Sequence, residues 1–308
     1  MSIFSLILAL ILEQFRPVSS RNRVYLAFVR FANRLERNMN AGEYRNGVLA
    51  WLIAVLPLAL IAVGIYWYLY ALNFFLAMSF SVLVLWLTMG FRQFSSAFTG
   101  ISKALQADDL PAARAALADW TGLSTSELTE NEVASLTIEQ GISDSYRYVF
   151  ATIFWFIVLA WLLGPAGALV YRAASLLRQK WDRPGNENFG GFAAAILAAM
   201  DYVPVRLAAV GFAIMGDFED AVQCWRTQAK EWANYDYGIL LASAAGALSV
   251  RIGNAVHQDH TVKFRPELGV GDAANPDYLA SAVGLVWRSV LLWVAVILLF
   301  VIAQWLGA

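Results

Sequence analysis

Two apolar runs set the frame for this chain. Gly47–Leu69 and Tyr278–Leu306 are each long enough, at about 1.5 Å per helical residue, to cross a hydrocarbon core of about 30 Å. Backbone that sits in lipid must satisfy its own hydrogen bonds, so such runs are helices. Composition agrees: the 308 residues are 59% hydrophobic and 15% charged, against about 45–50% and about 25% for soluble domains. The expected class is an all-α integral membrane protein of about four to five membrane helices, some broken or re-entrant, with small helical polar lobes. A formal net charge of -1 excludes the basic stripe that nucleic-acid binding needs. The single cysteine, Cys224, excludes an internal disulfide and a thiolate metal cluster.

The remaining segments are arranged around these spans. Met1–Leu12 is apolar but lacks a basic n-region before it and a small-residue cleavage site, so it is expected to be retained, lying in or dipping into the membrane. Val24–Met39 has the periodicity of an amphipathic surface helix. Leu72–Met89 is expected to be a second span, joined to the first as a hairpin through Tyr70–Asn73. Arg16, Arg21, Arg23, Arg30, Arg34, Arg37 and Arg45 make the N-terminal flank basic, which places segment 16–46 in the cytoplasm by the positive-inside rule. In the first polar region, Asp109-Leu110-Pro111 starts a helix that runs to Trp120 and breaks at Gly122. Ser126-Glu127 and Thr129–Glu132 open another, reaching Ile138. Tyr148–Leu163 is apolar, breaks at Gly164-Pro165-Ala166-Gly167 and resumes to Leu177; a re-entrant or tilted helix would keep the nearby arginines from lying outside. Asp217–Ala274 is a second polar region with a helix over Phe218–Trp232, a small-residue run over Leu240–Gly253 and a loop to Asn275-Pro276. The whole, 1–308, is expected to be one membrane domain with polar lobes at about 91–147 and 217–276.

Asp201-Tyr202-Val203-Pro204-Val205-Arg206-Leu207 carries an acid, a proline and an arginine into an otherwise apolar stretch from Phe189 to Met215. Each charge facing lipid would cost about 2.5–3.5 kcal/mol at the bilayer centre, so these side chains face protein or a polar cavity. Asp201 and Arg206, five apart, are poorly spaced to meet on an unbroken helix, but Pro204 can bend it. They either line a ligand site or form an internal ion pair. Glu127, Glu130, Glu132, Glu139 and Asp144 form an acidic series that reads first as a solvated helix face. His257-Gln258-Asp259-His260 lacks the spacing and third ligand of a zinc site and reads as a polar loop.

The order of these features resembles the CobD/CbiB family of cobalamin-biosynthesis membrane proteins, and its AmpE-like branch in particular. Asp201–Leu207 is similar to the family's P-A-R-L element and closer to the D-W-V-P-V-R-L of AmpE. Ile153-Phe154-Trp155 through Gly164-Pro165 to Tyr171-Arg172-Ala173 resembles the family's aromatic, Gly-Pro and Y-R-A sequence. Ala245-Gly246-Ala247-Leu248 is similar to its A-G-A-L run, and Leu268-Gly269-Val270-Gly271-Asp272 to its L-G-x-G-D. The polar motifs depart from the pattern: Gln14-Phe15-Arg16-Pro17-Val18 replaces G-D-P…H-P-V. Ile138–Asp144 lacks the E-N pair, Ser175–Lys180 stands for N-T-L-D-S-M, and Ala233-Asn234-Tyr235 for S-P-N.

The resemblance implies a bacterial inner-membrane protein. With the polar motifs changed, the first expectation is a non-catalytic, AmpE-like sensor or modulator linked to cell-wall signalling and β-lactamase induction. The alternative is a divergent adenosylcobinamide-phosphate synthase, joining an aminopropanol phosphate to adenosylcobyric acid with Mg-ATP; only then would Mg-ATP and a corrinoid be ligands. The polar core it implies is Asp201, Pro204, Arg206, Glu139, Asp144, Tyr171, Arg172, Gly246 and Asp272, with no resident metal. The bilayer is the expected partner, together with a membrane or cytoplasmic protein or a second copy of the chain.

Overall fold

The computed structural model of the protein describes residues 2–15, 23–258 and 261–306. Arg16, Pro17, Val18 and Arg21 of the basic flank, and Asp259 and His260, lie outside the described residues. In chain order the helices are α1 (Ser2–Phe15), α2 (Arg23–Met39), α3 (Tyr44–Leu72), α4 (Phe74–Thr88), α5 (Phe91–Gln106), α6 (Leu110–Thr121) and α7 (Glu130–Ser145). A π-helical turn over Tyr146–Phe150 leads into α8 (Ala151–Leu163), followed by α9 (Ala166–Trp181), α10 (Glu187–Met215), α11 (Phe218–Gln228) and α12 (Tyr235–Ala247). Short strands β1 (Val250–Gly253), β2 (Val256–Gln258), β3 (Thr261–Lys263), β4 (Glu267–Leu268) and β5 (Asp272–Ala273) precede α13 (Asp277–Leu306). Among the described residues, four helices are long and apolar enough to cross a membrane: Tyr44–Leu72, Glu130–Leu163, Glu187–Met215 and Asp277–Gln304. The chain is a multi-pass helical membrane protein.

Three expectations about the elements are corrected. Leu72–Met89 is not a second full span: Asn73 adopts an extended backbone and caps α4 by accepting from Phe75 N–H at 2.8 Å. The remaining 15 residues reach only about 22 Å at helical rise. The helix expected to reach Ile138 does not end there. Thr129 caps α7 in a capping box with Glu132, and from there helix continues through the π-turn to Leu163. Finally, the loop before Asn275 contains strands. The small-residue helix ends at Ala247, and Ser249 (φ 50°) and Asn254 (φ 68°) turn the chain at either side of β1.

By internal packing the chain divides into two compact units, Met1–Gln93 with Arg147–Tyr202, and Phe94–Tyr146 with Val203–Ala308. In the first, α1 packs on α4, and α3 packs on α4 and α9. The break foreseen at Gly164-Pro165 is present, and α8 turns back on α9 there. Gly164 has φ 56° and ψ -135°, and an added Cβ would lie 2.4 Å from the Tyr66 ring, so glycine is required on both counts. The end of α9 is tied to α2: Arg183 Nη2 donates to both Glu36 oxygens at 2.8 and 2.9 Å, and Trp181 Nε1 donates to Ala32 O at 3.3 Å.

In the second unit α12 is buried on every side from Ile239 to Ala245, and all of those residues but Ser243 are apolar. Its small residues let α11 approach closely: a Cβ on Gly246 would lie 2.5 Å from Asp220 O. Buried Cys224 sits on α11; burial pushes its thiol up and the Asp220 charge adds to that, so it is a packing residue rather than a nucleophile. β1 pairs antiparallel with β4 (Ile252 opposite Leu268) and parallel with β5 (Val250 opposite Asp272), while β2 and β3 form a hairpin.

Candidate functional site

In the first unit the polar centre is built on α9 and α10. Asp201 is 1% exposed and accepts a 2.9 Å bond from the hydroxyl of Tyr171, itself fully buried. The residue after Tyr171, Arg172, lies over the Tyr148 ring, its guanidinium carbon 4.2 Å from the centroid. That cation–π contact fixes a long side chain while leaving its N–H edge available for bonding. Tyr25 of α2 lies close enough to feel both: burial pushes its hydroxyl up, Tyr148 adds to this and Arg172 opposes it.

Arg206, in the second unit, pairs with Asp236 at 3.2 Å, a residue that no local pattern had marked. Asp201 and Arg206 each have a partner within their own unit, Tyr171 for the acid and Asp236 for the base. α10 runs through Pro204, which is buried, without interruption.

The second unit contains another polar centre, and here the solvated-face reading of the acidic series is corrected. Glu130 is exposed, but Glu139 and Asp144 are 7% and 5% exposed, because α7 is covered by β1, α12 and α13. Glu139 accepts from Arg265 Nη1 at 2.6 Å and Nη2 at 3.1 Å, from the Gly253 N–H at 3.1 Å and from Ser135 Oγ at 3.2 Å. Asp144 accepts from Trp120 Nε1 at 3.0 Å. Glu132 closes the α7 cap and meets His257 Nδ1 at 2.7 Å. Of the other expected core residues, Gly246 serves the α11–α12 contact and Asp272 is an exposed residue of β5. Sequence reasoning missed Arg265, Asp236, Arg147 and Tyr148. Arg265 stands between Phe264 and Pro266 in an irregular segment and offered no signal of its destination.

A Mg²⁺ ion would need convergent, available carboxylates. Among the described residues no group of three or more His, Cys, Asp or Glu side chains is placed to hold a metal. Glu132, Glu139 and Asp144 are each already bonded to protein donors. These side chains do not fit a metal site of the protein's own.

The fold and its two centres define a polytopic helical membrane protein with buried polar side chains held by hydrogen bonds and, in the second unit, an ion pair. The CobD/Cbib protein family matches over residues 6–286, and the chain belongs to that family. It is 36% identical to the Cobalamin biosynthesis protein CobD of Stutzerimonas stutzeri over 97% of this chain and 98% of that one. The protein of the same name from Chromobacterium violaceum is 34% identical over 80% of this chain and 73% of its own length. The one from Mycobacterium tuberculosis is 28% identical over 65% of each. No solved structure matches.

Proposed function

We propose that this protein works in cobalamin biosynthesis as the membrane-bound synthase that forms an amide between a corrinoid carboxylate and an aminoalkyl phosphate. The observation that carries this reading is the end-to-end likeness to a protein named for cobalamin biosynthesis, 98% of which is covered. This reading takes the place of the modulator first expected from the altered polar motifs. The chemistry asks for a nucleotide to activate the carboxylate and for an amine held close to it, so that positioning supplies most of the acceleration. Tyr171, Asp201 and Arg172 are the residues we assign to that centre. The reading also places the chain in the bacterial inner membrane with its basic N-terminal segment in the cytoplasm.

Modulation without catalysis is the second reading. What favours it is that the acidic residues nearest the family's E-x-x-x-E-N-x-x-D element, Glu139 and Asp144, are engaged in internal bonds. The two readings part in a strain that lacks its own synthase. Growth on cobyric acid in place of cobalamin, restored by this chain and lost with Asp201→Asn, is expected. Failure to restore growth with the protein present in the membrane would count against the synthase.

A further inference from the structure

Within the first unit, a cavity of about 310 Å³ opens beside α9. Arg172, Ser175 and Gln179 fall at i, i+3 and i+7 on one face of that helix, with Arg178 adjoining, and Arg147 and Tyr148 face them from the π-helical turn before α8. A π-turn inserts one residue into helical geometry and re-aims the side chains at that point. Here these are Arg147 and Tyr148. Three of the four side chains from α9 belong to the stretch Ser175–Lys180 that replaces the family's N-T-L-D-S-M. Where the sequence reads as a loss of polar chemistry, the fold has gathered guanidinium, hydroxyl and amide donors.

Charge decides what such a cavity would hold. Arg172 and Arg178 line it beside one carboxylate, Asp182, which Arg178 approaches through Nε at 3.5 Å, at the long limit of an ion pair. The lining is cationic on balance, the complement of an anionic group with several oxygens. Planar guanidinium groups bind phosphate oxygens in pairs, and Tyr148, Ser175 and Gln179 can supply neutral donors to the rest. A carboxylate ligand would leave half of this donor set unused.

We propose that this cavity binds the phosphate monoester group of a ligand, either a soluble phosphate ester or the headgroup of phosphatidic acid. That the soluble source is an aminoalkyl phosphate rests on the synthase reading; anion binding itself does not, and it is measured without turnover. The test uses the full chain, purified in a neutral detergent and titrated with O-phosphoethanolamine. In parallel it is placed in nanodiscs of phosphatidylcholine with and without phosphatidic acid, and retained lipid is measured by native mass spectrometry. Arg172→Gln and Arg178→Gln should each weaken binding about tenfold or more, as loss of a charge-assisted bond requires. Arg183→Gln, which removes an arginine bonded to Glu36 at the end of α9, should leave it unchanged. Ser175→Ala, which keeps every charge, should weaken it about two- to threefold and carries the comparison if an arginine variant does not fold. Binding of phosphatidic acid alone, with the same arginine dependence, upholds the site and makes its source the lipid. Binding of neither probe, or binding indifferent to Arg172, Arg178 and Ser175 together, overturns it.

Discussion

Removing Arg265 should expose how the strand lobe is fastened to α7. Glu139 is 7% exposed and held by four donors, of which Arg265 supplies the two charged ones at 2.6 and 3.1 Å. Arg265→Ala leaves a buried carboxylate with two neutral donors, the Gly253 N–H and Ser135 Oγ. Breaking a buried pair from one side costs about 3–5 kcal/mol. The two retained bonds, worth about 1 kcal/mol each, and the partial exposure of Arg265 (24%) put the expected loss near the lower end. Removing both charges with Glu139→Gln and Arg265→Gln should cost less than the two single changes added together, by about 1.5 kcal/mol or more. Unfolding in detergent can be followed by tryptophan fluorescence, since Arg265 lies 5.7 Å from the Trp232 ring. Additivity of the two single changes within about 0.5 kcal/mol would refute the pair as the fastening.

Other outcomes follow from the same geometry. Tyr171→Phe removes the 2.9 Å bond to buried Asp201 and should cost about 1–3 kcal/mol in thermal unfolding. Gly164→Ala places a Cβ 2.4 Å from the Tyr66 ring at φ 56° and should sharply lower the yield of folded protein from membranes. Thr129→Ala opens the α7 capping box and should lower stability by about 1 kcal/mol. Cys224, buried and with its thiol pushed up by burial, should react with maleimide in unfolded protein at pH 7 and hardly at all in folded protein; raising pH should speed labelling of the folded form only as the thiolate appears.

What the sequence made legible was local. Asp109 and Pro111 start α6 and Gly122, at φ 73°, ends it, as their spacing foretells. The long aliphatic runs became α3 and α13, and the Gly-Pro break became the turn between α8 and α9. Asn73 was an equally local signal for the start of α4, and giving it weight would have shortened the second span. The strands escaped notice because they are two to four residues long and β1 lies inside a small-residue run that has helical periodicity. The polar centres escaped for another reason. Glu139 meets Arg265 across 126 positions, and Asp201 meets Tyr171 across 30. Nothing within one helical turn of either residue records such a partner. Burial of Glu139 and Asp144 likewise depends on what covers α7, so the acidic series looked solvated when taken by itself.

The synthase reading is tested most directly by product. Purified protein in proteoliposomes, given adenosylcobyric acid, aminopropanol phosphate and Mg-ATP, should yield a species with the mass of the amide, absent without nucleotide and strongly reduced in Asp201→Asn. Intact, folded protein that forms no amide under these conditions, in a strain whose β-lactamase induction changes when the chain is deleted, would contradict the account.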